Sequence, residues 1–198
     1  MNSIEELVLR LRAHLGIPDD TLLDVLDTLR RMKIAGIISD YRRDEDHVLA
    51  DAVAMWDDST RTIVLSDALW EGLEHADPEI RFTVFHEIGH AVLGHAARNR
   101  KIAGKRQFGR SIEFDEQEAD DFALAFAIPL RSASNLDIYD ADALAQQFGL
   151  SVAMAERRMI SLQRYSKYPN RLEDAAEPED NYAEAMGLMR FNTITWNS

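Results

Sequence analysis

The segment His86-Glu87-Ile88-Gly89-His90 sets two imidazoles four residues apart with a carboxylate beside the first. On an α-helix that spacing puts both rings on one face, one turn apart, where they can grip a single metal ion. Glu87 falls about 100° around from His86 and can reach a water on that ion. This is the donor pattern of metal-assisted peptide hydrolysis, with Glu87 as general base.

A hydrolytic zinc centre needs a third protein donor and an open fourth position. The chain has no cysteine, so any metal must be held by His and carboxylate, and thiol nucleophiles and disulfides are excluded. Downstream, Glu116-Gln117-Glu118-Ala119-Asp120 offers Glu116 or Glu118. Only Glu116 has an aspartate one turn ahead, and Asp120 can then accept the outer N–H of a ligating imidazole. The other reading of these acids is a solvated helix face, since Asp115 and Asp121 are also present. His95 follows His90 by five residues, about 500° of continued helix, so it is expected to point away from His90 as a helix-end histidine. A His₂Glu set takes Zn²⁺ and accommodates Mn²⁺.

Helices must carry these residues. Asp77-Pro78 reads as an N-cap with proline in the first turn, opening a helix expected to run to about Ala97. A second long helix is expected over 112–128, stopped by Pro129. Ahead of them, Ser3 with Glu6 forms a capping box for a helix bearing Leu7, Leu11 and Leu15. Pro18 is expected to open the next helix, with Leu22, Leu23, Leu26 and Leu29 inward. Residues 34–38 fit either a strand or a helix tail, and the charged stretch 41–47 reads as a loop. Residues 52–56 and 61–65 read as strand, turn and strand, followed by a short helix capped by Ser66. The strand 61–65 is a candidate edge along which an extended substrate would pair.

The remaining 198-residue composition narrows the function further. Twenty-two basic against 35 acidic residues give a formal charge of −13, which argues against a surface built to wrap duplex DNA. The first sixteen residues lack the apolar core of a signal peptide, and no run is long enough to cross a membrane, so a cytoplasmic location is expected.

HEIGHAVLGH followed by EQEADDFALAFAIP resembles the ImmA/IrrE family of metallopeptidases, the likeness extending over roughly residues 5–165. The resemblance implies His86, His90 and Glu116 as metal ligands and Glu87 as the base. It implies an α+β, mostly helical fold, with a zincin-like, thermolysin-like core and a small antiparallel sheet. It also implies a substrate: a helix-turn-helix repressor of the Xre type, cleaved in response to DNA damage, stress or mobile elements. The expected division is a catalytic core over 1–130, a helical module over 131–168, and an acidic linker and tail over 169–198.

Two further segments carry weaker signals. Residues 144–163 have the outline of a helix-turn-helix with Arg157 and Arg158, and Arg164 just beyond. In a chain this acidic, packing against the core is the better reading than DNA contact. Residues 98–110 contain six Lys and Arg and no acid, a segment that is solvated or docks a nucleic-acid effector. His75, Tyr139 and Arg98 are candidates for a second oxyanion donor. The competing function is a non-catalytic regulator that binds metal structurally and acts through a protein or DNA partner.

Overall fold

The computed structural model describes residues 3–45, 53–75, 77–95, 109–132 and 140–166. Along the chain run α1 (Ser3–His14), α2 (Val25–Ile34), β1 (Asp40–Asp44), β2 (Ala54–Asp57), β3 (Thr62–Ser66), α3 (Asp67–Glu74), α4 (Pro78–Leu93), α5 (Gly109–Ala127), α6 (Ala141–Phe148) and α7 (Val152–Ser166).

The sheet has three strands in the order β1-β3-β2. The hairpin read from sequence is present: β2 pairs antiparallel with β3, Trp56 opposite Ile63. The purely antiparallel expectation fails, because β1 joins β3 in parallel, Tyr41 opposite Ile63. β1 arises from the stretch read as a charged loop. Its sequence, DYRRD, is exposed or half-exposed throughout, the guise of an edge strand protected by charge, so no apolar alternation announces it. The strand read as a substrate-pairing edge, 61–65, is instead the centre of the sheet, buried over all five residues of β3. The outer strand on that side is β2.

Helix boundaries follow local chemistry. Pro18 does not start a helix. The Arg12 guanidinium binds the carbonyls of Pro18 and Thr21, and α2 begins only at Val25, where Asp24 accepts the Asp27 N–H. Residues 34–38 are neither simple alternative: Ile34 closes α2, Gly36 turns at φ 71°, and Ile37 and Ile38 are buried before β1. Ser66 caps α3 as expected. Asp77 caps α4 by accepting the N–H groups of Glu79 and Ile80. That helix ends at Leu93 rather than Ala97, because Gly94 takes the left-handed conformation, φ 71°.

The core gathers between α1, α4, α5 and the sheet. The run Phe122–Ile128 is buried at every residue, and Phe126 meets Phe85 edge-on with centroids 5.7 Å apart. Three buried arginines tie down helix ends. Arg12 donates to Phe126 O at 2.7 Å. Arg81 donates to Leu23 O and, at 3.5 Å, to Phe148 O. Arg158 donates to Ile128 O and forks onto the buried Glu5 carboxylate. Each carbonyl lies at or beside a helix start or end, where backbone acceptors lack helical partners.

The pair α6 and α7 has the expected helix-turn-helix outline, with Asp140 as cap and Gly149 left-handed at the turn. Arg158 is internal, and Arg157, though exposed, pairs with Asp120 at 3.1 Å. The Arg164 side chain, the basic stretch 98–108 and residues 169–198 lie outside the described residues. No described helix is long and apolar enough to cross a membrane.

Candidate metal centre

α4 presents His86 and His90 toward α5, and the close approach of the two helices depends on Gly89. A β-carbon there would stand 3.0 Å from Ala119 O and 3.1 Å from Ala119 Cα. With no side chain in the way, α5 lies close enough for Glu116 to join the histidine pair.

The structure brings together the residues that the sequence nominated. His86 Nε2 and His90 Nε2 are 3.0 Å apart. Glu116 places Oε2 3.3 Å from His86 Nε2 and Oε1 3.7 Å from His90 Nε2, and one donor atom from each of the three residues falls within 4.8 Å of the others. Donors placed about 2.0–2.1 Å from one tetrahedral ion stand roughly 3.3 Å from each other, so the triangle has the size of a coordination face. Two ring nitrogens and a carboxylate at this spacing repel one another through their lone pairs unless a cation or proton sits among them. The chemistry of the donor set therefore fits a divalent metal.

Asp120 occupies the place anticipated for it. Its Oδ1 is 2.9 Å from His86 Nδ1, and its Oδ2 accepts from Arg157. The carboxylate thus takes the outer imidazole proton and leaves Nε2 to the triangle. Burial acts to lower the His86 pKa, but the Asp120 hydrogen bond and the charges of Glu87, Asp120 and Glu116 outweigh it, and the net shift is upward. For Asp120, burial acts to raise the pKa, and the bonds from His86 and Arg157 carry it below the usual value.

Glu87, 5% exposed, accepts the Trp56 N–H at 2.7 Å. Because Val53 O on the same strand bonds Ser66 of β3, alternation sends the Trp56 amide outward. The candidate base is thereby anchored to β2, the outer strand on that side among the described residues. That bond was not legible in the sequence.

His95 departs from expectation. It does not point away: its Nδ1 is 2.9 Å from His90 Nδ1. The 500° estimate assumed continuing helix, but Gly94 reverses the chain, and the His95 N–H returns to His90 O at 3.0 Å. Gly94 was the signal that would have found this contact. Glu118, the rival of Glu116, lies 3.4 Å from His95 Nε2 instead. His95, Asp115 and Glu118 form a second group whose donor atoms lie within 4.8 Å of one another. Of the oxyanion candidates, Arg98 and Tyr139 lie outside the described residues, and His75 is the exposed C-cap of α3.

Comparison with known proteins bears on this cluster. Residues 28–159, two thirds of the chain, match the peptidase family described as the IrrE N-terminal-like domain. The chain belongs to this family, the ImmA/IrrE peptidases. Among solved structures, a Mycobacterium tuberculosis transcriptional regulator has a similar fold, with a TM-score of 0.52 at 18% identity, covering 80% of this chain. The likeness spans 55% of that regulator, so the chain accounts for just over half of its length. No curated protein matches the sequence significantly. The family is one of peptidases that use a metal ion, and both histidines, Glu87, Glu116 and Asp120 fall inside the matched span.

Proposed function

We propose that this ImmA/IrrE-family chain is a cytoplasmic zinc endopeptidase, with His86, His90 and Glu116 as ligands, Glu87 as base, and Mn²⁺ as an alternative ion. The observation that carries the reading is the convergence of His86, His90 and Glu116, whose donor atoms lie within 4.8 Å of one another, with the two Nε2 atoms 3.0 Å apart and one Glu116 oxygen near each ring, beside a buried glutamate. The zincin-like core is assigned to 1–130, with 131–168 packed against it.

The ion, when bound, supplies Lewis acidity, acidifying a water and polarising the scissile carbonyl. The protein supplies the proton path. Glu87 takes the proton lost by the attacking water and returns it to the amine nitrogen as the C–N bond breaks, giving a carboxylic acid and an amine. The Trp56 N–H fixes the orientation of that carboxylate. Asp120 fixes the ring of His86, and Arg157 fixes Asp120. β2, the outer strand on that side among the described residues, lies beside the base, and an extended substrate segment is assigned to its edge, in place of the central strand that the sequence suggested. The substrate proposed is an Xre-type helix-turn-helix repressor. This rests on the family resemblance and fits a regulatory setting, in keeping with the likeness in fold to a Mycobacterium tuberculosis transcriptional regulator.

The test is to incubate the zinc-loaded chain with such a repressor and compare Glu87→Gln and a chelated sample. Glu87→Gln is expected to keep its zinc and lose cleavage by at least about 100-fold, the scale of general acid–base catalysis. Cleavage that persists in Glu87→Gln, or survives chelation, overturns the proposal.

A further inference from the structure

On its outer nitrogen His90 meets a second imidazole. Its Nε2 faces the triangle and its Nδ1 faces His95 Nδ1 at 2.9 Å. An imidazole that offers the lone pair of Nε2 to a cation carries its proton on Nδ1. Two N–H groups cannot face each other at that distance, so His95 Nδ1 must be the acceptor. The His95 proton then resides on Nε2, the atom 3.4 Å from Glu118 Oε2.

We infer that His95 and Glu118 form a relay that fixes the tautomer and orientation of His90: His90 Nδ1–H donates to His95 Nδ1, and His95 Nε2–H points to the Glu118 carboxylate. It matches the support of His86 by Asp120 and Arg157, with an imidazole interposed. His95 is a positioning residue in this scheme. The inference rests on the reading of His90 as a metal ligand and assigns work to residues that reading leaves idle.

The same proton bookkeeping decides the second donor group. His95 can ligate through Nε2 only if its proton moves to Nδ1, where it would confront the His90 N–H. The group formed by His95, Asp115 and Glu118 is therefore closed to a cation while His90 holds one. One ion per chain follows, although two groups of donors lie side by side.

The experiment measures Zn²⁺ affinity and stoichiometry by competition with a chromophoric chelator, alongside the melting temperature of the metal-free protein. His95 is 9% exposed at its side chain, and His95→Leu keeps its bulk. That variant is expected to lose about 10–100-fold in affinity, the usual cost of removing a hydrogen-bond partner from a ligating histidine. His95→Asn, which leaves a carbonyl oxygen to accept from His90, is expected to recover most of it, and so is Glu118→Gln relative to Glu118→Leu. Imidazole ¹⁵N NMR of the zinc-loaded wild type should show His95 protonated on Nε2. Affinity unchanged in His95→Leu, no recovery in His95→Asn, an Nδ1–H tautomer of His95, or two ions bound together would each overturn the relay. A wild-type chain that binds no zinc would instead overturn the ligand assignment beneath it.

Discussion

Gly89→Ala isolates the role of helix spacing in building the site. The added methyl would lie 3.0 Å from Ala119 O, 3.1 Å from Ala119 Cα and 3.2 Å from Phe122 Cδ1. Relaxed carbon–carbon contacts begin near about 3.5 Å. Relief therefore requires roughly 0.4 Å of separation between α4 and α5, because the obstacle is backbone and cannot rotate aside. Ligand positions around a metal tolerate about ±0.2 Å, so the shift is about twice what the site accepts. Stability feels two opposed effects: alanine gains about 1 kcal/mol over glycine inside a helix, and overpacking costs about 1–3 kcal/mol. The metal-free variant should lose only about 0–2 kcal/mol in guanidinium unfolding. Its zinc affinity should fall at least about tenfold, or 1.4 kcal/mol. Ala119→Gly should not rescue it, since the atoms met at position 119 are backbone. A folded Gly89→Ala protein that binds zinc within about twofold of wild type would refute the argument that this glycine sets the ligand geometry.

Other perturbations separate the neighbouring groups. Asp120→Ala should weaken zinc binding about 10–100-fold, measured by chelator competition, whereas Arg157→Ala should cost less than Asp120→Ala because its partly exposed ion pair contributes about 0–1 kcal/mol. The metal-free protein should lose stability as pH rises from near 6.5 through the raised folded pKa of His86, since the contribution of the protonated ring is complete only below its unfolded value. Urea titrations across that interval should show a smaller slope in His86→Gln; an unchanged slope would assign the effect elsewhere. Asp120 acts with the opposite sign: its contribution is present above its unfolded value of 3.8 and disappears as pH falls through the lowered folded value, so Asp120→Asn should flatten the acid limb of the same titration.

The centre was legible in the sequence because its determinants are local. The spacing of His86 and His90 and that of Glu116 and Asp120 are each one helical turn, and Asp77-Pro78 marks where α4 begins. What was not legible depends on partners distant in sequence or on a reversal of the chain. β1 has no alternation because its charged side chains lie at a sheet edge. The placement of β3 at the centre follows from the pairing of β1, which local pattern does not encode. Pro18 failed as a helix start because Arg12 takes the carbonyl that follows from a turn, not from a helix. His95 was misplaced because Gly94 ended the helix one residue earlier.

The salt link between Glu5 and Arg158 joins points 153 residues apart. A fragment trimmed to the span shared with the family, 28–159, would retain His86, His90 and Glu116 yet discard α1 whole. Arg158, 2% exposed, would lose the carboxylate onto which it forks, and the face of α5 that α1 covers would open to water. The Phe126 carbonyl would lose Arg12 at the same stroke. Together with the burial of Val8 and Leu11, those ties make α1 part of the smallest unit that can hold the candidate site together.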